Sequence, residues 1–296
     1  MIKIVRGRSR DAAAQKVVLD HLRRLHSDYM PAVLASVQCN SLSEKDFRPL
    51  PKDEESVAAV AAVREALYQD QYRKCCYCER HPDTGQLEHF RPKTSAKLWP
   101  LHRKRLGYYW LAWTWENLLY ACSACNRCKS IQFPLAHGCT PLTPDALPPG
   151  SEHPLLLDPG DGHTDPFACI RFHPVEEGNR TRWKPFPRNG SIHGQSTIEK
   201  LSLDGPRLLD RYDTHIKLMV TPAIQDIRQA EGRARSTSDT TRLRQVWRRR
   251  LDWLCDPEQQ FIALSCDVID HHFPRMFRRR WELHDPRPDY ARIAAR

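Results

Sequence analysis

The sequence predicts an α+β fold, and three observations carry that prediction. Apolar residues recur at helical spacing near the N-terminus and again beyond Gln195. Between Gly138 and Gly194, frequent Pro and Gly break the chain into short β-prone runs. Separating these textures, Tyr72 to Leu135 clusters Cys, His, Trp and basic residues in runs that suit strands and turns better than long helices. Three regions are therefore expected: N-terminal helices over 1–70, a Cys- and His-rich core over 71–137, and a C-terminal region over 138–296. The last should consist of short strands to about 194 and be mostly helical after that.

In the first region, Asp11 is placed to cap a helix reaching about His26, since a short carboxylate accepts from the unpaired N–H groups of a first turn. Val57, Ala58, Val60, Ala61, Val63, Ala66 and Leu67 lie close to one face of a 3.6-residue period, predicting a second helix between Glu55 and Asp70. Both helices are expected to be packing scaffold. In the last region, Leu155–Leu157, Cys169–Phe172 and Trp183–Phe186 read as strands. Thr197–Leu203, Pro206–Ala230 and Arg242–Leu254 read as helices, with a break at Gly205-Pro206. The triplets Arg248–Arg250 and Arg278–Arg280 have two readings, phosphate contact or a solvated helix face, and the second is the commoner.

Composition bounds the function. At 296 residues with 40% hydrophobic and 28% charged composition, the chain can bury a sizeable core. Its longest apolar stretches fall far short of the ~20 residues that cross a bilayer, and Met1–Lys16 has no apolar signal core. A cytoplasmic protein without membrane contact is expected. The net charge of +10 favours a polyanionic partner, because Lys and Arg release counterions condensed on phosphates. Charge alone also fits a merely solvated basic surface. Eleven cysteines, an odd number, without an export signal point to reduced thiols, some of them metal ligands, rather than to a disulfide framework.

Their positions sharpen this. Cys75 and Cys78 form one CxxC and Cys122 and Cys125 a second, each pair suited to half of a tetrahedral zinc site. A redox CxxC would not need the second pair, and inert buried cysteines would not need the spacing, so a structural Zn2+ held by these four is expected. Cys76 and Cys128 are out of register and read as spare thiols. The stretch 79–121 exceeds the roughly 15–20 residues between the pairs of small zinc ribbons, so a further unit must loop out there.

That loop contains Leu87-Glu88-His89-Phe90-Arg91-Pro92-Lys93. After it come Trp115-Glu116-Asn117-Leu118-Leu119 and Cys122-Ser123-Ala124-Cys125-Asn126-Arg127-Cys128-Lys129. In order and spacing these segments resemble the HNH endonuclease motif. They are more similar still to the PtuB nuclease subunits of Septu anti-phage systems, also found in some retrons. The similarity includes Cys75 to Glu79, Phe133-Pro134-Leu135, Leu156-Leu157-Asp158-Pro159 and Thr197-Ile198 through Leu203 to Arg211, and begins at Met1-Ile2-Lys3-Ile4. The resemblance implies an α+β protein with an HNH ββα-metal core and a four-cysteine zinc staple, framed by N-terminal helices and a mostly helical C-terminal region. It also implies a role in phage defence and an ATPase partner of the PtuA kind. Residues beyond about Arg211 carry no recognised motif.

Phosphodiester hydrolysis needs a deprotonated water, and a neutral imidazole titrating near ~6.5 suits that task. With fourteen histidines in the chain, only its place in the motif singles out His89 as the general base. The scissile phosphate needs a hard cation, Mg2+ or Mn2+, for which Glu88 and Asn126 offer oxygen ligands. Many HNH members have Asp before the base and His at the last position, where this chain has Glu and Asn. By resemblance, Asn117 pins the loop that bears the base; the plain alternative is a solvated turn residue. Lys129, three residues after Asn126, reads either as a cation beside the bound phosphate or as a surface lysine.

Arg91, Lys93, Lys97, Arg103, Lys104 and Arg105 form a stretch without acidic residues, interleaved with Trp99 and followed by Tyr108, Tyr109 and Trp110. The cations suit a nucleic-acid backbone, most naturally DNA, and the aromatics suit either stacked bases or a core. The expected function is a metal-dependent endonuclease. The alternative is a non-catalytic zinc module that binds nucleic acid or protein, for which Glu88, His89 and Asn126 together would be superfluous.

Overall fold

Helix α1 (Ala12–Gln38) starts where Asp11 accepts the Ala14 N–H at 2.8 Å. It runs well past His26, because Val33 continues the buried face of Val18, Leu22 and Leu25. Helix α2 (Glu54–Asp70), capped by Asp53, lays Ala59, Val63, Ala66 and Leu67 against that face. Each valine or leucine taken fully out of water contributes roughly 1.5–3 kcal/mol, and each alanine methyl roughly 0.8 kcal/mol. The same core takes in Tyr109, Trp113, Trp115, Leu118 and Tyr120, so the helical scaffold packs directly on the segment rich in Cys and His. This computed structural model describes residues 4, 6–7, 9–49, 52–98, 104–144, 146–161 and 164–287, without the Lys104 side chain.

Strand β1 (Gly85–His89) pairs antiparallel with β4 (Leu118–Cys122), in a register that sets Glu88 opposite Leu119 and His89 opposite Leu118. At Gly85 an added Cβ would lie 2.1 Å from the Tyr120 ring, so any side chain at the strand start would have to push that buried ring aside. Between these partners a second pair, β2 (Ser95–Lys97) and β3 (Lys104–Leu106), forms the looped-out unit. Helix α3 (Ser123–Lys129) follows β4 without a linker.

Leu155–Leu157, expected as a strand, is none; the nearby β-interaction is a single bridge between Leu135 and Pro154. From Pro166 the chain makes a short helix, α4 (Pro166–Cys169), then a hairpin of β5 (Ile170–Glu177) and β6 (Arg180–Pro187), turned at Gly178 with φ +60°. Helices follow: α5 (Ile192–Leu201), α6 (Pro206–His215), α7 (Thr221–Gly232) and α8 (Thr237–Leu254), then α9 (Ile262–His272) and α10 (Arg275–Trp281). The expected break at Gly205-Pro206 is the start of α6, and a π-helical stretch, Ile216–Val220, joins α6 to α7. The last two helices lie in the region expected to be mostly helical, though the sequence singles out neither: α9 is buried almost all round from Ile262 to Ile269, so it shows no amphipathic period.

By packing, the described residues form two units. One comprises residues up to Tyr77 with His81–Thr164; the other comprises Asp165 onward with Cys78–Arg80. The first unit thus takes in residues from both the 1–70 and the 71–137 regions of the sequence. Among the described residues no helix is long and apolar enough to cross a membrane.

Candidate active site and cysteine cluster

Four thiols bracket the β1–β4 pair. Cys122 ends β4 and also caps α3, its Sγ accepting the Cys125 N–H at 3.4 Å, so one helical turn brings both thiols to the same side. At the other CxxC, the Cys76 N–H donates to the Tyr120 carbonyl at 3.0 Å, stitching that turn to β4. Gln71 reinforces the join, accepting from the Tyr120 N–H at 2.8 Å and donating to the Tyr120 carbonyl at 2.7 Å. Nothing in the motif singled out Gln71, because a glutamine beyond a helix end has no distinctive spacing. Cys75, Cys78, Cys122 and Cys125 are all buried, with their sulfurs within 4.8 Å of one another. Tetrahedral ligands at ~2.3 Å from an ion stand roughly 3.8 Å apart, so four buried sulfurs this close can hold a metal such as zinc. Cys76 is buried and Cys128 exposed, and neither joins the group.

Beside this cluster a cavity of about 480 Å³ is lined by Glu88, His89, Lys93, Asn126, Arg127 and Trp113, among others. His89 Nε2 lies 3.0 Å from the Ala112 carbonyl. A carbonyl only accepts, so Nε2 carries the proton and Nδ1 is left with its lone pair. Nδ1 stands 3.5 Å from Lys93 Nζ. Loss of solvent, and then the Lys93 charge, hold the imidazole well below its ordinary titration range, so it is neutral.

Glu88, 3% exposed, gives Oε1 to Lys129 Nζ at 2.6 Å and to the Tyr77 hydroxyl at 3.4 Å. Burial pushes its carboxyl above the usual range, against the opposing pull of Lys129. Lys129 is itself fully buried and also donates to the His89 carbonyl at 2.7 Å. Its ammonium is therefore spent inside the fold, which excludes the surface-lysine reading. Asn126 Nδ2 donates to Gln86 Oε1 at 2.8 Å, while Asn126 Oδ1 accepts from no described residue.

Asn117 is buried. Its Oδ1 accepts the Arg91 N–H at 2.8 Å and its Nδ2 donates to the carbonyls of Arg91 and Leu111, both at 3.1 Å. It ties the chain just past His89 to the segment before β4. Arg6 grips the same turn, donating to the Trp115, Glu116 and Leu118 carbonyls.

The expected basic stretch is divided by the fold. Lys93 lines the cavity, and Arg105 lines a neighbouring one of about 570 Å³. Lys97 joins β2 to the chain after α3, its N–H donating to the Ile131 carbonyl at 2.7 Å. Arg91 is 6% exposed and paired with the buried Glu152 at 2.7 Å, so its charge is used inside the protein and does not meet a phosphate. Tyr108 and Tyr109 are likewise core residues. Trp99, Arg103 and Met1 to Lys3 lie outside the described residues, as does the Lys104 side chain.

No family model and no solved structure matches this chain. Over 107 residues it is 37% identical to the Septu protein PtuB of Bacillus mycoides strain KBAB4, an alignment covering 33% of this chain and 34% of the relative. The chain thus spans about a third of that relative's length, and the similarity relates it to PtuB.

Proposed function

We propose that the chain is a metal-dependent HNH-type endonuclease that hydrolyses nucleic-acid phosphodiester bonds, DNA foremost, as the effector of a Septu-like phage-defence system acting with a PtuA-like ATPase. The observation that carries this reading is the pairing of a neutral His89, protonated on Nε2, with the Glu88 carboxylate at one cavity. An antiparallel pair followed directly by a short helix and bracketed by four thiols supports it, as does the PtuB similarity.

In this reading His89 Nδ1 takes the proton of an attacking water. The new P–O bond forms as the bond to the leaving oxygen breaks. Ala112 holds the imidazole in the required tautomer, and Asn117 fixes the backbone after it. Lys129 holds the Glu88 carboxylate and the His89 carbonyl in one arrangement. Glu88 and Asn126 would hold a magnesium or manganese ion, which when bound neutralises charge on the phosphate and leaving oxygen. A carboxylate and a free amide oxygen at one cavity suit such an ion, which keeps several waters. Lys93 supplies a cation for the phosphate. The four thiols would hold a structural zinc ion, and with it both ends of the site.

The test is cleavage of plasmid, single-stranded DNA and RNA by the zinc-loaded protein with magnesium or manganese, with His89→Ala in parallel. Metal-dependent cutting that drops by at least ~100-fold in the variant is expected of a lost general base. No cutting by the wild type, alone or with its ATPase partner, would leave a zinc-containing binding module.

A further inference from the structure

A second concentration of charge lies in the unit from Asp165 onward, at a groove of about 170 Å³ between α7 and α8. Arg233, Arg242 and Arg249 line it, all three exposed, and none of their guanidinium groups makes a hydrogen bond or ion pair with another described residue. The two carboxylates of the groove are already engaged. Asp226 is paired with Arg250, and Asp239 accepts from the Ser236 hydroxyl at 2.8 Å and from the N–H groups of Ser236 and Arg235 at 3.1 and 3.2 Å. Asp239, held only by neutral donors, keeps its charge and attracts Arg242, and Asp226 is taken up by Arg250, so three guanidinium groups against one remaining carboxylate leave the groove with an excess of positive charge. Gln229 adds an amide to the lining.

Arg242 and Arg249 are seven residues apart on α8, two turns along one face, or ~10.5 Å at 1.5 Å per residue. A nucleic-acid strand advances ~3.4 Å per nucleotide, so this separation matches about three nucleotides and exceeds what one phosphate can span. Guanidinium groups also offer forked donors that fit phosphate oxygens. We infer that this groove is a binding site for the phosphate backbone of a nucleic-acid strand, held by Arg233, Arg242 and Arg249. It is independent of the reading given to the His89 cavity, since it needs neither cleavage nor a divalent ion.

The test is fluorescence anisotropy of a single-stranded oligonucleotide of about 20 nucleotides with the zinc-loaded full chain, without magnesium or manganese, across a salt series. One variant carries Arg233→Gln, Arg242→Gln and Arg249→Gln. The control carries Arg248→Gln, Arg275→Gln and Arg279→Gln, three exposed arginines outside the groove that remove the same charge. The groove variant is expected to bind at least ~10-fold more weakly, its salt slope smaller by about two at ~0.7 per lost phosphate contact, while the control loses less than about twofold. Arg249→Gln alone should lower the slope by about 0.7, which keeps the test decisive if the triple variant folds poorly. Equal losses in both triples, or none in the groove variant, would overturn the site. Full competition by inorganic phosphate or a mononucleotide at matched phosphate concentration would overturn the strand in favour of an isolated anion.

Discussion

Two antiparallel pairs in this chain differ in the polar groups they bury beside their apolar cores. In the β5–β6 hairpin, Ile170, Phe172, Trp183 and Pro185 point inward while His173 and Phe186 on the other face meet solvent, the alternation of a scaffold sheet with one wet face. In the β1–β4 pair, β4 is buried at every position, and among its close neighbours are Glu88, Asn117 and Lys129, all 3% exposed or less. Burying apolar side chains stabilises a fold; burying a carboxylate and an ammonium costs several kcal/mol per ion before their attraction offsets it. Charge retained at that cost, next to a cavity, marks the first pair as the one shaped by something other than stability.

The largest expected effect breaks the first pair at its ends. Cys122→Ser should abolish zinc binding and destabilise the protein by several kcal/mol, since the free energy of a structural zinc site is largely folding free energy. Cys169→Ser, next to the hairpin and outside the cluster, should leave zinc content at the wild-type value. Elemental analysis and thermal melts of both proteins check this. Wild-type zinc in Cys122→Ser would refute the four-thiol site.

Next, two substitutions of similar stability cost should separate in what they report. Lys129→Met strands the buried Glu88 carboxylate, at about 3–5 kcal/mol. Trp183→Ala opens a cavity in the hairpin face, also at about 3–5 kcal/mol. Manganese binding, followed by calorimetry below both melting points, should be weakened by the first and unchanged by the second. Adding Glu88→Gln to Lys129→Met should recover much of the lost stability and none of the metal affinity. Equal manganese binding by Lys129→Met and Trp183→Ala would remove the functional distinction between the two pairs.

This contrast also explains what was legible in the sequence. The doubled CxxC and the Glu88-His89 order mark chemistry by residue type and spacing, and α2 and α8 show in their periodicity. Lys129 stood as cation or surface residue because spacing along a helix does not reveal that Glu88, far off in sequence, meets it end-on. Arg91 looked like a phosphate contact for the same reason: its partner Glu152 lies 61 residues away in a Pro- and Gly-rich stretch without pattern. Helix α9 was unreadable because a helix buried all round loses the polar face that periodicity detects.

Buried polar groups in the second unit sharpen the comparison through pH. Burial holds His215 down to about 4, against the opposing pull of Glu79, and its Nε2 lies 2.8 Å from the Ser265 hydroxyl. A depressed histidine contributes stability that is fully present above ~6.5 and is lost as pH falls toward about 4. Burial raises Asp267 to about 6 despite the Phe172 N–H and Arg171, so its contribution is present below ~3.8 and is lost as pH rises through about 6. The two slopes oppose between about 4 and 6, each of order 3 kcal/mol at ~1.4 kcal/mol per pKa unit. Denaturant melts should then show stability falling with pH across that window in His215→Gln and rising in Asp267→Asn. Parallel profiles in the two variants would show that these groups do not set the acid response.

The smallest effect concerns how the His89 cavity meets an anion. Glu44 places Oε2 on Lys93 Nζ at 2.8 Å and accepts from the Thr94 hydroxyl at 3.1 Å, so a protein carboxylate already engages the cation nearest His89 Nδ1. Glu44 is 53% exposed, and a pair so open to water contributes ~0.2–1 kcal/mol. At ~1.4 kcal/mol per tenfold, a phosphate that must displace it loses up to about fivefold in affinity. Glu44→Gln should therefore tighten oligonucleotide binding by up to about fivefold and steepen its salt dependence, because Lys93 then releases a counterion to the strand. Lys93→Gln should weaken binding and, combined with Glu44→Gln, cancel the gain. If Glu44→Gln tightens binding equally with and without Lys93, the carboxylate acts only through net charge; if the gain requires Lys93, the carboxylate competes for the phosphate position itself.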